Sequence, residues 1–67
     1  MQIVCTTASA AARVLAILRT AQLYPVRDYE LRPILSIVPP ITFTMRQPLP
    51  DALRAEIAQV PDTRVVV

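Results

Sequence analysis

Ile41-Thr42-Phe43-Thr44-Met45-Arg46 alternates without a break between apolar and polar residues. Side chains on a strand point to opposite faces in turn, so Ile41, Phe43 and Met45 are expected to face a core and Thr42, Thr44 and Arg46 to face outward. Pro39-Pro40 starts this strand and Pro48 stops it, because proline has no N–H to give to a ladder.

Upstream, Val26 to Arg32 reads as a second strand. Arg27, Tyr29 and Leu31 would point one way, and Asp28, Glu30 and Arg32 the other. A charged side opposite a partly apolar one suits an edge strand, and Pro33 ends it. Before it, Ser9 to Gln22 reads as a helix, with Ala11, Val14, Leu15, Leu18 and Ala21 on one face, Ile17 near its border, and Arg13 and Thr20 opposite. Leu23-Tyr24-Pro25 closes that helix. Gln22 stands where a helix-ending glycine is usual, which predicts strain there. Gln2 to Thr7, short and β-branched, reads as a central strand, and Thr7 or Ser9 is placed to cap the helix.

Downstream, Asp51 to Val60 reads as a second helix. Pro50 lies near its start, Asp51 favours its positive end, Leu53, Ile57 and Val60 form its apolar stripe, and Pro61 marks its end. Arg64 to Val67 is a last short strand. The order strand, helix, strand, strand, helix, strand predicts an α+β, ferredoxin-like βαββαβ sandwich. A four-stranded antiparallel sheet would carry both helices on one face. No linker or repeat divides residues 1–67, so a single domain is expected.

Composition narrows the function. A chain of 67 residues builds a marginal core that benefits from a partner. One cysteine, Cys5, and no histidine exclude an internal disulfide and a Cys/His metal cluster, so no metal or cofactor is expected. The missing histidine also removes the commonest general base, and Cys5, mid-strand, reads as an inert core thiol. Asp28 and Glu30 look like a carboxylate pair, but Arg27 and Arg32 beside them make a surface charge cluster the better reading. The chain has no glycine, which rules out phosphate-cradling loops of the usual kind.

The net charge of +2 comes from seven scattered arginines set against five acids, not from a basic stripe. With Phe43 facing inward, the open sheet face shows Thr42, Thr44 and Arg46 in place of stacking aromatics. No nucleic-acid partner is therefore expected. No apolar run reaches the ~20 residues of a membrane span. The N-terminus has no basic region before an apolar one, and the single thiol suits a reducing compartment, so a cytoplasmic protein with no membrane contact is expected. Ile34-Leu35-Ser36-Ile37-Val38-Pro39-Pro40 is too apolar for an ordinary hairpin connection. Either the segment extends the second strand and folds onto the chain's own helices, or it is a contact surface, in which case Ile34, Leu35 and Ile37, with Tyr29 and Leu31, are the candidate interface positions.

Ala10 to Arg19, then Val26 and Leu31-Arg32-Pro33, then Ile41 to Met45, and finally Leu53 to Val67 with Val60-Pro61-Asp62-Thr63-Arg64-Val65, together resemble an ACT domain. The likeness is to the small regulatory subunits of acetolactate synthase (acetohydroxyacid synthase), and it spans nearly the whole chain on packing patterns. It implies a regulatory, non-catalytic domain that pairs side by side through the first helix and second strand, as a homodimer or with a catalytic subunit. It also implies a small amino-acid effector, such as a branched-chain amino acid, bound where the loop after the first strand meets a neighbouring chain. The corresponding positions here are Thr6, Thr7, Ser9 and Ala10, with Tyr24 from the segment before the second strand. The family's asparagines and glycines at these places are replaced by Thr6, Ser9, Gln22 and Tyr24-Pro25, which weakens the expectation of an effector. The alternative is an assembly module with no small ligand.

Overall fold

The computed structural model describes residues 1–32 and 39–66. Its elements are β1 (Gln2–Cys5), α1 (Ala8–Thr20), β2 (Tyr29–Arg32), β3 (Ile41–Met45), α2 (Asp51–Ala58) and β4 (Thr63–Val66). The strands form one antiparallel sheet in the order β2-β3-β1-β4, the ferredoxin-like α+β arrangement that the element order predicts.

Register sorts the side chains. Leu31, Phe43, Ile3 and Val65 lie in one row across the four strands. Ile41, Cys5 and Thr63 form a second row on the same face, and Tyr29 sits opposite Met45. Ile3, Cys5, Tyr29, Ile41, Phe43 and Met45 are all buried there. They join Ala10, Ala11, Val14 and Leu18 of α1 and Ile57 of α2 in one cluster, so both helices cover this face. The alternation in β3 therefore holds at each position. Leu49 and Val60, which flank α2, are buried in the same core, although Leu49 sits among prolines with no periodicity to announce it. The opposite face carries the rows Glu30, Thr44, Gln2, Val66 and Arg32, Thr42, Val4, Arg64.

Several expected boundaries shift for identifiable reasons. β1 stops at Cys5, because Thr6 and Thr7 turn to start α1. Thr7 is the cap: its backbone is extended and its Oγ1 accepts the Ala10 N–H. Ser9 lies inside the helix. α1 ends at Thr20, so Ala21 and Gln22 are exposed and outside the helical face. Gln22 takes φ 63°, its N–H donates to the Arg19 carbonyl, and the Leu23 N–H donates to the Leu18 carbonyl. This paired closure normally uses glycine. A residue with a Cβ costs roughly 1–2 kcal/mol in the left-handed region. Glycine gives back part of that gain through the entropy of the unfolded chain. Gln22→Gly is thus expected to stabilise the protein by about 0.5–1 kcal/mol, seen as a melting temperature raised by a few degrees in calorimetry.

β2 begins at Tyr29, three residues later than expected. Val26 is left-handed at φ 71°, which breaks strand geometry. The four residues before Tyr29 instead close a turn in which the Asp28 N–H donates to the Tyr24 carbonyl at 2.9 Å. Arg27 and Asp28 consequently do not alternate as strand residues. α2 is helical only to Ala58, although Val60 stays buried as its stripe predicts. β4 runs from Thr63 to Val66, one residue earlier than expected, and Val67 lies outside the described residues. Pro33 and the apolar positions Ile34, Leu35 and Ile37 also fall outside them. Among the described residues, no helix is long and apolar enough to cross a membrane.

Candidate functional site

The loop after β1 is where an effector was expected. Thr6 gives both its N–H and its Oγ1 to the Asp62 carbonyl, at 2.9 and 3.2 Å. Thr7 Oγ1 accepts the Ala10 N–H at 3.1 Å. Both hydroxyls therefore serve the fold: one ties the loop to the turn before β4 and the other caps α1. Ala10 is buried with its N–H engaged, and Ser9 is exposed. Tyr24 lies beyond the other end of α1, packed under the Arg27 guanidinium at 5.1 Å from its ring centre. A helix of 13 residues separates the two ends by about 20 Å. One chain thus does not bring Tyr24 to Thr6, Thr7, Ser9 and Ala10.

The interface positions divide. Tyr29 has no exposed surface and stacks at a tilt on Phe43, with ring centres 5.5 Å apart, so it belongs to the chain's own core and not to an interface. The charged pattern around it hid this, because Asp28 and Glu30 on either side suggested a solvated strand. Leu31 is half-buried at the edge, next in line to Phe43. β2 is an edge strand, as expected.

At this edge the structure builds something that sequence patterns do not show. The Val26 N–H donates to the Tyr29 carbonyl at 2.7 Å, and the Val26 carbonyl accepts Arg46 Nε at 2.9 Å. Arg46 comes from the end of β3, and no local signal links residues twenty apart. A recess of about 330 Å³ lies here, lined by Pro25, Val26, Glu30, Leu31, Arg32 and Arg46. The Glu30 carboxylate sits between two guanidiniums, 3.7 Å from Arg32 and 3.5 Å from Arg46.

Comparison of the chain with protein-family models, curated proteins and solved structures finds no match.

Asp28 holds the turn beside the recess. Its carboxylate accepts the Tyr24 N–H and Arg27 Nε, each at 2.8 Å. The Tyr24 backbone N–H is the main cause, with Arg27 adding to it, of a carboxyl held below its ordinary value. A lowered folded value means that Asp28 supports folding above the unfolded pKa of about 3.9, and that this support is lost as pH falls through the folded value. An NMR titration of its carboxyl carbon should show a midpoint below that of a free aspartate, and Tyr24→Pro, which removes the N–H, should restore most of the difference.

Cys5 is buried, and burial raises its thiol above the ordinary value despite a Thr63 hydroxyl at 3.9 Å. A thiol held protonated is a poor nucleophile, consistent with a packing role. Among the described residues, no three His, Cys, Asp or Glu side chains gather as a metal site.

Proposed function

We propose that the chain is a regulatory, non-catalytic ACT-like domain that pairs with a second copy and modulates a biosynthetic enzyme, acetolactate synthase being the one its sequence resembles. The observation that supports this best is the position of β2. The strand through which such domains pair lies at an edge of the sheet, and no strand lies beyond it among the described residues. At its start the Tyr29 carbonyl is taken by the Val26 N–H of the same chain, so a further strand would add along Glu30 to Arg32. A core of this size gains from burying more surface in an interface. The cytoplasm is the compartment that suits a single buried thiol.

A specific observation favours a second reading, an assembly module with no small ligand. The hydroxyls of Thr6 and Thr7, offered by the resemblance as effector contacts, are occupied within the chain. Sedimentation at two concentrations, with calorimetry against valine, leucine and isoleucine, separates the readings. A concentration-dependent dimer that gives heat and melts higher with one amino acid supports a sensor. A dimer silent to all three supports assembly, and a monomer throughout counts against both.

A further inference from the structure

The residues with net charge are unevenly placed. Glu30, Arg32 and Arg64 lie in the two rows of the open sheet face, and Arg46 reaches the same side through Glu30. The other four arginines are matched in number by Asp28, Asp51, Glu56 and Asp62 on helices and turns. The chain's whole excess of +2 therefore sits on the face that the helices leave bare.

Beside that face, around the β2 edge, the recess has the makings of a binding site. Its volume of about 330 Å³ is at the lower end of small-molecule pockets, which run roughly 300–1,000 Å³. Pro25, Val26 and Leu31 supply apolar wall. Arg46 is not a loose surface arginine, since its Nε is held by the Val26 carbonyl, and one outer nitrogen lies 3.5 Å from the Glu30 carboxylate in the recess lining. The left-handed backbone of Val26 is what turns that carbonyl toward Arg46, and valine is an unfavourable residue for this conformation. Glu30 faces Arg32 and Arg46 at distances longer than a charge-assisted hydrogen bond of about 2.7–2.9 Å. Two guanidiniums against one carboxylate leave one positive charge without a matching one among the described residues.

We propose that this recess binds a small monocarboxylate with a compact apolar body, its carboxylate taken by Arg32 and Arg46 and its body set against Pro25, Val26 and Leu31. One ligand charge completes the balance, and Glu30 acts as a built-in competitor for the same guanidiniums. The site shares no residue with the α1 end but takes Glu30, Leu31 and Arg32 from β2, the proposed pairing strand; sedimentation without ligand reads pairing alone and keeps a failure here distinct from a failure of that reading.

The test is an NMR titration of the chain with isovalerate, and with the uncharged isovaleramide of nearly the same shape. Isovalerate is expected to shift the amides of residues 26–32 and 46 saturably, and isovaleramide to do so at least about tenfold more weakly. Arg32→Gln, which leaves the Arg46–Val26 bond in place, should weaken isovalerate about tenfold. Glu30→Gln should tighten it several-fold by removing the competitor, an effect that a merely structural Glu30 would not produce. Equal responses to acid and amide, shifts that never saturate, or weaker binding by Glu30→Gln would each overturn the proposal.

Discussion

Phe43→Ala is expected to leave most of the chain unfolded at physiological temperature. Phe43 is almost fully buried, in a central strand, with Leu31 and Ile3 beside it in the row and the Tyr29 ring packed on it. Truncating a buried phenylalanine to alanine costs about 3–5 kcal/mol, made up of lost transfer energy and a cavity. Native domains hold roughly 0.05–0.15 kcal/mol per residue, or about 3–10 kcal/mol for a chain of this length. The loss is therefore comparable to the entire stability. Urea denaturation followed by circular dichroism, with the dispersion of amide resonances as a second readout, checks this. A cost under about 1 kcal/mol would mean that the sheet face carrying Phe43 is not the core.

Tyr29 gives the second large effect and separates packing from hydrogen bonding. Its ring is enclosed, and its hydroxyl has no hydrogen-bond partner among the described residues. Burial accordingly pushes the phenol above its ordinary value. Tyr29→Ala is expected to cost about 3–5 kcal/mol, as for other buried aromatics. Tyr29→Phe keeps the ring and removes only the hydroxyl, so it should be close to neutral or slightly stabilising, since an unpaired buried polar group contributes nothing favourable. Urea melts of the three proteins measure both. A cost above about 2 kcal/mol for Tyr29→Phe would reveal a partner for the hydroxyl. Because Tyr29 is interior, Tyr29→Phe should also leave any self-association unchanged in sedimentation, whereas a true interface residue would alter it.

The readable parts of this chain share one property: their signal is local and repeated. Ile41 to Met45 alternates over five residues between prolines, and each side chain faces as the alternation demands. Val14, Leu18 and Ile57 recur at helical spacing and are fully buried. Gln22 shows that even strain is legible when a helix must end without glycine. β2 starts later than propensity predicts because Val26, a strong strand former, is held in a left-handed turn by contacts that propensity does not include. The effector positions were carried by resemblance, and here the hydroxyls among them are drawn into capping and loop closure.

Apolar period, proline stops and a threonine cap thus specify the order of elements and the side of each that is buried, because these depend on neighbours within a few residues. The depth of Tyr29 follows from Phe43 and Met45 crossing beside it, and the recess follows from Arg46 meeting a carbonyl twenty residues earlier. Such contacts form only once the sheet has brought distant segments side by side. No periodicity along the chain encodes which carbonyl an arginine will reach, so the edge of β2 acquires its chemistry from folding itself.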